Sequence, residues 1–213
     1  MICPLCHHEK TNLYERVQDR TYYQCELCSL VFVPRVELIS FQHEKERYEN
    51  HQNSEDNSDY IKYLAAIAEK ISSKVTRGST GLDFGCGKSL LMEKILGQYG
   101  FSVSSYDLFF HPNESVLEKK YDFILLSEVI EHLRDPDEVL RKISGLLKEK
   151  GSLIIKTKLL TNEIKDFKNW FYRRDITHVQ FFSEKSFLKL GHLFQFEVYE
   201  EIGEDLFIFR NNG

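Results

Sequence analysis

The sequence predicts an α/β fold: an open, Rossmann-like parallel sheet, trimmed between its second and fourth strands, with a small cysteine-rich module at its amino end. Three observations carry that reading. Gly81-Leu82-Asp83-Phe84-Gly85-Cys86-Gly87-Lys88 joins an apolar strand end to the helical pattern Leu90, Leu91, Met92, Ile95, Leu96 through two closely spaced glycines. Only thirteen residues, Leu108 to Lys120, separate a second strand ending at Asp107 from the apolar run that begins at Tyr121. Four of the five cysteines form two C-x-x-C pairs near the amino end.

The pairs are Cys3-Pro4-Leu5-Cys6 and Cys25-Glu26-Leu27-Cys28, eighteen residues apart, within the spacing of a four-thiolate zinc site. Each pair closes a tight knuckle about a tetrahedral ion, and Tyr14, Val17, Tyr22, Tyr23 and Val31, Phe32, Val33 flank them as short strands of a ribbon. Four thiolates leave no open coordination position, so the zinc is expected to be structural, folding a segment too small for its own core. His7 and His8 are alternative ligands but read better as a solvated pair beside a knuckle. Residues 1–34 are therefore expected to be a zinc ribbon.

Residues 35–76 are expected to form a connector and an N-terminal helix. From Pro34 to Asn57 the chain is polar and charged, the pattern of a surface linker. Asp59 reads as the cap of a helix whose Tyr60, Ile61, Leu64, Ala65, Ile67, Ala68, Ile71 and Val75 form one apolar face.

Residues 77–213 hold the sheet. Gly85 and Gly87 let the backbone turn sharply and admit a ligand close to it, and the helix start that follows offers unpaired N–H groups, the setting for a nucleotide-like ligand. Leu90 stands where the third glycine of G-x-G-x-x-G belongs, which disfavours a dinucleotide. Asp107, twenty residues past Gly87, is suitably placed for a ribose diol. The gap before Tyr121 is too short for a helix, strand and helix, so the third strand is expected to be shortened or absent. Asp135-Pro136-Asp137-Glu138 reads as a capped helix start, with Val139, Leu140, Ile143, Leu146 and Leu147 as the buried face. Ser152 to Thr157 then reads as a buried parallel strand. A long aromatic and basic stretch follows from Leu159 to Phe182, then a helix from Ser183 to Leu193 and a closing hairpin around Gly203.

Taken together, Asp83-Phe84-Gly85-Cys86-Gly87, the run from Tyr121 to Pro136 with Glu128-Val129-Ile130-Glu131-His132 inside it, and Leu146 to Ile155 make the chain resemble the class I S-adenosylmethionine-dependent methyltransferases, in the branch carrying E-V-x-E-H after the fourth strand. The resemblance covers roughly the last two-thirds of the chain, and Gly87-Lys88-Ser89 departs from the usual glycine-rich continuation of the loop. It implies S-adenosyl-L-methionine as cofactor, with Asp83 beside the sulfonium end, Asp107 on the ribose, Phe84, Gly85, Cys86, Gly87 and Leu108 along the turn, and Glu128 and Val129 bordering the ligand. The shortened third-strand region is where such proteins commonly hold adenine. Arg47-Tyr48-Glu49-Asn50-His51-Gln52-Asn53 looks like a segment that covers the cofactor in zinc-ribbon methyltransferases, although composition alone reads it as linker.

Methyl transfer needs an oriented acceptor and, for a hydroxyl or acidic carbon, a base. His178, in Asp175-Ile176-Thr177-His178, is the candidate base; Glu131 and His132 are further catalytic candidates or a structural hydrogen-bonded pair. Arg173 and Arg174 are candidates for a carboxylate or phosphate on the acceptor. The net charge of −5 and pI near 5.9 give the body no basic footprint for non-specific nucleic-acid binding. No stretch approaches the length of a membrane span, and Met1-Ile2-Cys3-Pro4 begins neither a signal nor a transit peptide, so a reducing, cytoplasmic setting is expected. The expected acceptor is a small molecule. An RNA base presented through the ribbon and a non-catalytic, methyltransferase-like binding module are the alternatives, and the oligomeric state is unassigned.

Overall fold

The computed structural model describes residues 1–50, 56–161, 166–202 and 205–211, and of 197–199 the backbone. In chain order the elements are β1 (Thr11–Val17), β2 (Arg20–Cys25), β3 (Val31–Phe32), α1 (Phe41–Glu49), α2 (Ser58–Ser72), β4 (Thr80–Phe84), α3 (Leu91–Gln98), β5 (Ser102–Tyr106), β6 (Tyr121–Ser127), α4 (Pro136–Leu146), β7 (Leu147–Lys156), β8 (Gln180–Phe181), α5 (Glu184–Leu193), β9 (Phe196–Ile202) and β10 (Leu206–Asn211).

Alternation along β6 explains why its sequence is almost continuously apolar: the strand is covered on both faces. Phe123 and Leu125 pack with Leu64, Ile67 and Ile71 of α2 and Leu91, Met92 and Ile95 of α3. Ile124 and Leu126 pack with Leu140 and Ile143 of α4 and Phe187 and Leu190 of α5. The sheet order is β5-β4-β6-β7-β10-β9; β4 is parallel to β5 and β6, β6 to β7, and the last two strands form an antiparallel hairpin. Its turn at Gly203 lies outside the described residues. The chain leaves β4 for β5 on one side and returns to β6 on the other. Outside the carboxyl ends of β4 and β6 this reversal opens the crevice where open parallel sheets take ligands.

Among the described residues no strand lies beyond β5. Leu108 to Lys120 instead contains a short 3-10 turn, Glu114–Glu118, that buries Val116 and Leu117, and Tyr121 Oη donates to the Val116 carbonyl at 2.7 Å. β7 starts at Leu147, earlier than the expected Ser152, because a register irregularity between Tyr121 and Phe123 absorbs the extra residues.

Two helix caps differ from expectation. Asn57, not Asp59, caps α2: its Oδ1 accepts the N–H groups of Asp59 and Tyr60, both at 3.1 Å, while Asp59 sits in the first turn, where its charge favours the helix dipole. Asp135 makes no cap bond; its carboxylate meets Arg35 Nη1 at 3.0 Å. The connector also departs from a plain surface linker. Residues 41–49 form α1, and its buried Glu44 receives Arg134 Nη2 at 2.6 Å and Nε at 3.1 Å. His51, Gln52 and Asn53 lie outside the described residues.

The amino-terminal sheet has the order β1-β2-β3-β8. Its fourth strand comes from the long stretch after β7, through Val31 opposite Phe181 and Phe32 opposite Gln180. Cys3, Leu5, Cys25, Cys28, Leu30 and Phe32 belong to the same buried cluster as α4 and α5. The cysteine module and the large sheet thus share one core.

Candidate active site

At the end of β4 the chain turns through Gly85 (φ +80°) and Gly87 (φ +68°), a left-handed backbone that side chains resist. A Cβ on Gly85 would stand 2.5 Å from Val129 Cγ2, so the turn and the end of β6 are packed against each other through a missing side chain. The N–H groups of Gly85 and Cys86 donate to the Tyr106 carbonyl at 2.8 and 3.1 Å. Asp107 completes the turn: its Oδ2 accepts Gly87 N–H at 2.9 Å and its Oδ1 accepts Phe109 and Phe110 N–H at 2.8 and 3.0 Å. Leu108 is exposed beside it. Asp83 is buried, and burial, with Glu93 and Asp107 adding repulsion, pushes its carboxyl up to about 7. A groove of about 700 Å³, lined by Glu93, Ser105, Phe110 and His111 among others, runs along the free edge of β5.

At the end of β6, Glu128 adopts φ +53°, an uncommon conformation for a side-chain-bearing residue. Its N–H is held by the Lys156 carbonyl at 2.8 Å. Its Oε1 accepts Lys156 Nζ at 2.9 Å and Tyr63 Oη at 3.3 Å. Lys156 also meets Asp205 at 2.7 Å. Against burial, Lys156 holds the Glu128 carboxyl below its ordinary range, so Glu128 is ionised. Glu131 is the opposite case: fully buried, with burial and then Glu128 raising its pKa well above the ordinary value.

Tyr172 Oη lies 2.5 Å from Glu131 Oε1, 3.1 Å from Glu128 Oε2 and 2.9 Å from Thr157 Oγ1. One phenol carries one proton and cannot donate to both carboxylates. A protonated Glu131 resolves this by donating to Tyr172, which donates onward to the ionised Glu128. Tyr172, Thr157, Lys156 and Tyr63 complete the site without a motif to announce them; Tyr172 alone lies in a stretch marked by its aromatic and basic content.

His178 and His132 stand next to this network. His178 is buried, which lowers its pKa and keeps it neutral, and its Nδ1 lies 2.6 Å from the Tyr172 carbonyl. Donation from Nδ1 leaves Nε2 as the basic nitrogen. His132 Nδ1 lies 3.1 Å from the Thr177 carbonyl and its ring meets His178 edge to face at 4.6 Å. Glu131, His132 and His178 each place one ligand-type atom within 4.8 Å of the others. Residues from two distant segments, expected only as separate candidates, therefore form one cluster. Tyr48 of α1 packs on His132, with ring centres 5.5 Å apart.

Cys3, Cys6, Cys25 and Cys28 are gathered with their sulfurs within 4.8 Å of one another, Cys3 to Cys28 and Cys6 to Cys25 each at 3.6 Å. The knuckles repeat one backbone pattern. His7 N–H donates to Cys3 O and Cys3 N–H to His8 O; Ser29 N–H donates to Cys25 O and Cys25 N–H to Leu30 O. Both residues after the second cysteine, His7 and Ser29, have positive φ. A tetrahedral ion with metal–sulfur bonds of about 2.3 Å sets its sulfurs about 3.8 Å apart, so this donor set fits zinc. His7 is engaged elsewhere, 3.0 Å from Asp137.

A family model described as a methyltransferase domain matches residues 50–201, well over half of the chain. The protein belongs to this methyltransferase-domain family. Among curated proteins, the ubiquinone biosynthesis O-methyltransferase of Caulobacter vibrioides is 34% identical over a match covering 38% of this chain and 41% of that protein, so the chain spans about two-fifths of that relative's length. Among solved structures, an O-methyltransferase family protein from Burkholderia thailandensis matches 80% of this chain and 63% of its own with TM-score 0.58 and 13% identity. The 1,6-didemethyltoxoflavin-N1-methyltransferase of Burkholderia thailandensis, solved with bound 1,6-didemethyltoxoflavin and S-adenosylhomocysteine, matches 94% of this chain and 99% of its own with TM-score 0.53 and 14% identity. At such identities these structures speak to the fold.

The glycine turn of this domain fits S-adenosylmethionine on its own chemistry. Glu93 and Asp107 both repel the Asp83 carboxylate at the turn. A pyrophosphate would add negative charge to that site, whereas an ammonium and a sulfonium relieve it.

Proposed function

We propose that this chain is an S-adenosylmethionine-dependent methyltransferase that acts on a small-molecule acceptor and carries a structural zinc ion. The observation that supports this reading best is the carboxylate-lined glycine turn opening beside the Glu128, Glu131 and His178 cluster. Bound there, S-adenosylmethionine supplies an electrophilic methyl group on a positively charged sulfur. The chain does the rest. Asp83 and Asp107 hold the ligand's ammonium end and ribose; Phe84, Gly85, Cys86, Gly87 and Leu108 shape its cradle; Glu128 and Val129 border it.

His178 takes the acceptor's proton at Nε2, because burial keeps the ring neutral and the Tyr172 carbonyl fixes its tautomer. Glu131 and His132 are positioning residues: Glu131 holds Tyr172, whose carbonyl orients His178, and His132 packs against the His178 ring. Zinc held by Cys3, Cys6, Cys25 and Cys28 anchors the ribbon sheet to which β8 belongs, two residues beyond His178. A small acceptor is favoured over an RNA base because the cysteine module is folded into the main core and the chain is acidic overall.

The test is methyl transfer from labelled S-adenosylmethionine to fractionated cell extract, with labelled products sorted as RNA, protein or small molecules. Label in the small-molecule fraction supports the proposal. Label in RNA moves the acceptor class, and no transfer despite cofactor binding favours a binding module.

A further inference from the structure

The β1 to β2 hairpin reaches the catalytic cluster with a cation that the methyl-transfer reading leaves unused. Arg20 opens β2 and lies half-buried, its guanidinium carbon 5.7 Å from the centre of the Tyr22 ring. Tyr22 is fully buried, in one cluster with Phe167, Tyr172, Val179 and Phe181. Arg173, from the stretch after β7, directs Nη1 to the same Tyr22 hydroxyl at 3.3 Å. Its chain neighbour Tyr172 carries the carbonyl that orients His178. Two guanidiniums from distant segments thus meet on the Tyr22 side chain, one over its ring and one at its hydroxyl.

Neither of them has a carboxylate within ion-pair distance among the described residues. Glu37 is the acidic group in electrostatic range of Arg20, but its Oε2 accepts the Thr21 N–H at 2.7 Å. Arg47 of α1 has its own partner, Asp175, at 3.7 Å. Arg20 and Arg173 repel each other, and Arg20 repels the protonated form of His178. Half-buried like charges with no ion-pair partner among the described residues favour an anion, and the planar guanidinium matches an oxyanion's paired oxygens.

We propose that Arg20 and Arg173 form an oxyanion subsite that holds a carboxylate or phosphate on the methyl acceptor, with Tyr22 aligning the two guanidiniums. The proposal rests on the methyltransferase reading for the identity of the ligand as acceptor. It assigns the amino-terminal module a part in acceptor selection: its hairpin supplies one of the two cations. An anionic acceptor anchored there has its reacting end directed toward His178, and its charge offsets the repulsion that Arg20 exerts on the protonated ring, which favours uptake of the acceptor's proton.

Trp170, the chain's one tryptophan, packs 5.3 Å from Tyr172, and its carbonyl accepts the Arg173 N–H, so its fluorescence reports occupancy. The full-length protein saturated with S-adenosylhomocysteine is titrated with phenyl phosphate, benzoate and neutral benzamide. Expected is saturable binding of at least one anion, at least tenfold tighter than benzamide. Arg20→Gln and Arg173→Gln should each weaken it at least tenfold, and the exposed-hairpin control Arg16→Gln should not. Preference between phenyl phosphate and benzoate then identifies the oxyanion.

Equal binding of benzamide, absence of saturable anion binding, or wild-type anion affinity in both arginine variants overturns the subsite. Calorimetry with S-adenosylhomocysteine runs in parallel. Normal cofactor affinity in the variants shows that they are folded. A wild type that binds S-adenosylhomocysteine but no anion sinks only the subsite, whereas a wild type that fails to bind S-adenosylhomocysteine sinks the methyltransferase reading.

Discussion

The Nδ1 atom of His178 is held 2.6 Å from the carbonyl oxygen of Tyr172, which leaves Nε2 as the nitrogen able to accept a proton. His178→Ala is therefore expected to bind S-adenosylmethionine normally and to lose about 10²–10⁴ in turnover. His178→Asn keeps polarity but cannot take the proton and should be equally slow. Because burial lowers the His178 pKa, the wild-type rate should rise with pH only on the acid side, below about 6.5, and be level at neutrality. The same shift makes the fold less stable as pH falls through that range, since the unfolded chain then binds the extra proton. Steady-state kinetics of the three proteins across pH decide this; near-normal turnover in the asparagine variant would leave proton removal to the acceptor's own acidity.

A protonated Glu131 makes a prediction of its own. Its folded pKa is raised, so stability is greatest below the unfolded value of about 4.3 and falls as pH rises toward the folded one. Glu131→Gln mimics the neutral acid and should be at least as stable as the wild type at pH 7, because it loses that decline. Tyr172→Phe removes the hydroxyl that links Glu131 to Glu128 and should cost about 1–3 kcal/mol. Denaturant melts between pH 5 and 9 check both; strong destabilisation by the glutamine at pH 7 would show that Glu131 is ionised.

The cysteine cluster predicts about one zinc per chain, measured by elemental analysis of freshly purified, reduced protein. Removing the metal should free the pairing of β3 with β8. Exchange of the Val33 amide, which now donates to Val179 O at 2.9 Å, should quicken, with S-adenosylhomocysteine affinity little changed because the glycine turn lies on the other sheet. Metal-free protein with all four thiols reduced would remove the zinc assignment.

Much of this was legible in the sequence because it is local. The two cysteine knuckles, the turn from Asp83 to Gly87, the β6 run and the short link before Tyr121 each declare themselves within a few residues. Pairings between distant segments have no such signature. β8 joins the amino-terminal sheet across about 150 residues of chain, Tyr172 reaches Glu131, and α1 docks through Glu44 and Arg134; nothing in either partner's neighbourhood names the other. Even the caps show this competition. Asp135 sits at a cap position, yet Arg35, a hundred residues earlier, holds its carboxylate.

Gly85→Val should all but abolish cofactor binding, because a branched side chain at φ +80° would meet Val129 at its own Cβ. Asp107→Ala removes the acceptor of three backbone N–H groups and, in the proposed binding mode, of the ligand's ribose hydroxyls, and should weaken S-adenosylhomocysteine binding by about 1.5–3 kcal/mol. Isothermal calorimetry on both variants is the check, and wild-type affinity in both would move the cofactor elsewhere.

The most direct test of the central claim is calorimetric titration of the wild-type protein with S-adenosylhomocysteine and, separately, NAD, at pH 6 and pH 8. Asp83, pushed up to about 7, must ionise to meet the ligand's ammonium group. Binding should therefore be one to one, release protons near neutrality and be about tenfold weaker at pH 6 than at pH 8, while NAD should give no heat of binding. Saturable NAD binding, or no binding of S-adenosylhomocysteine at either pH, would contradict the account.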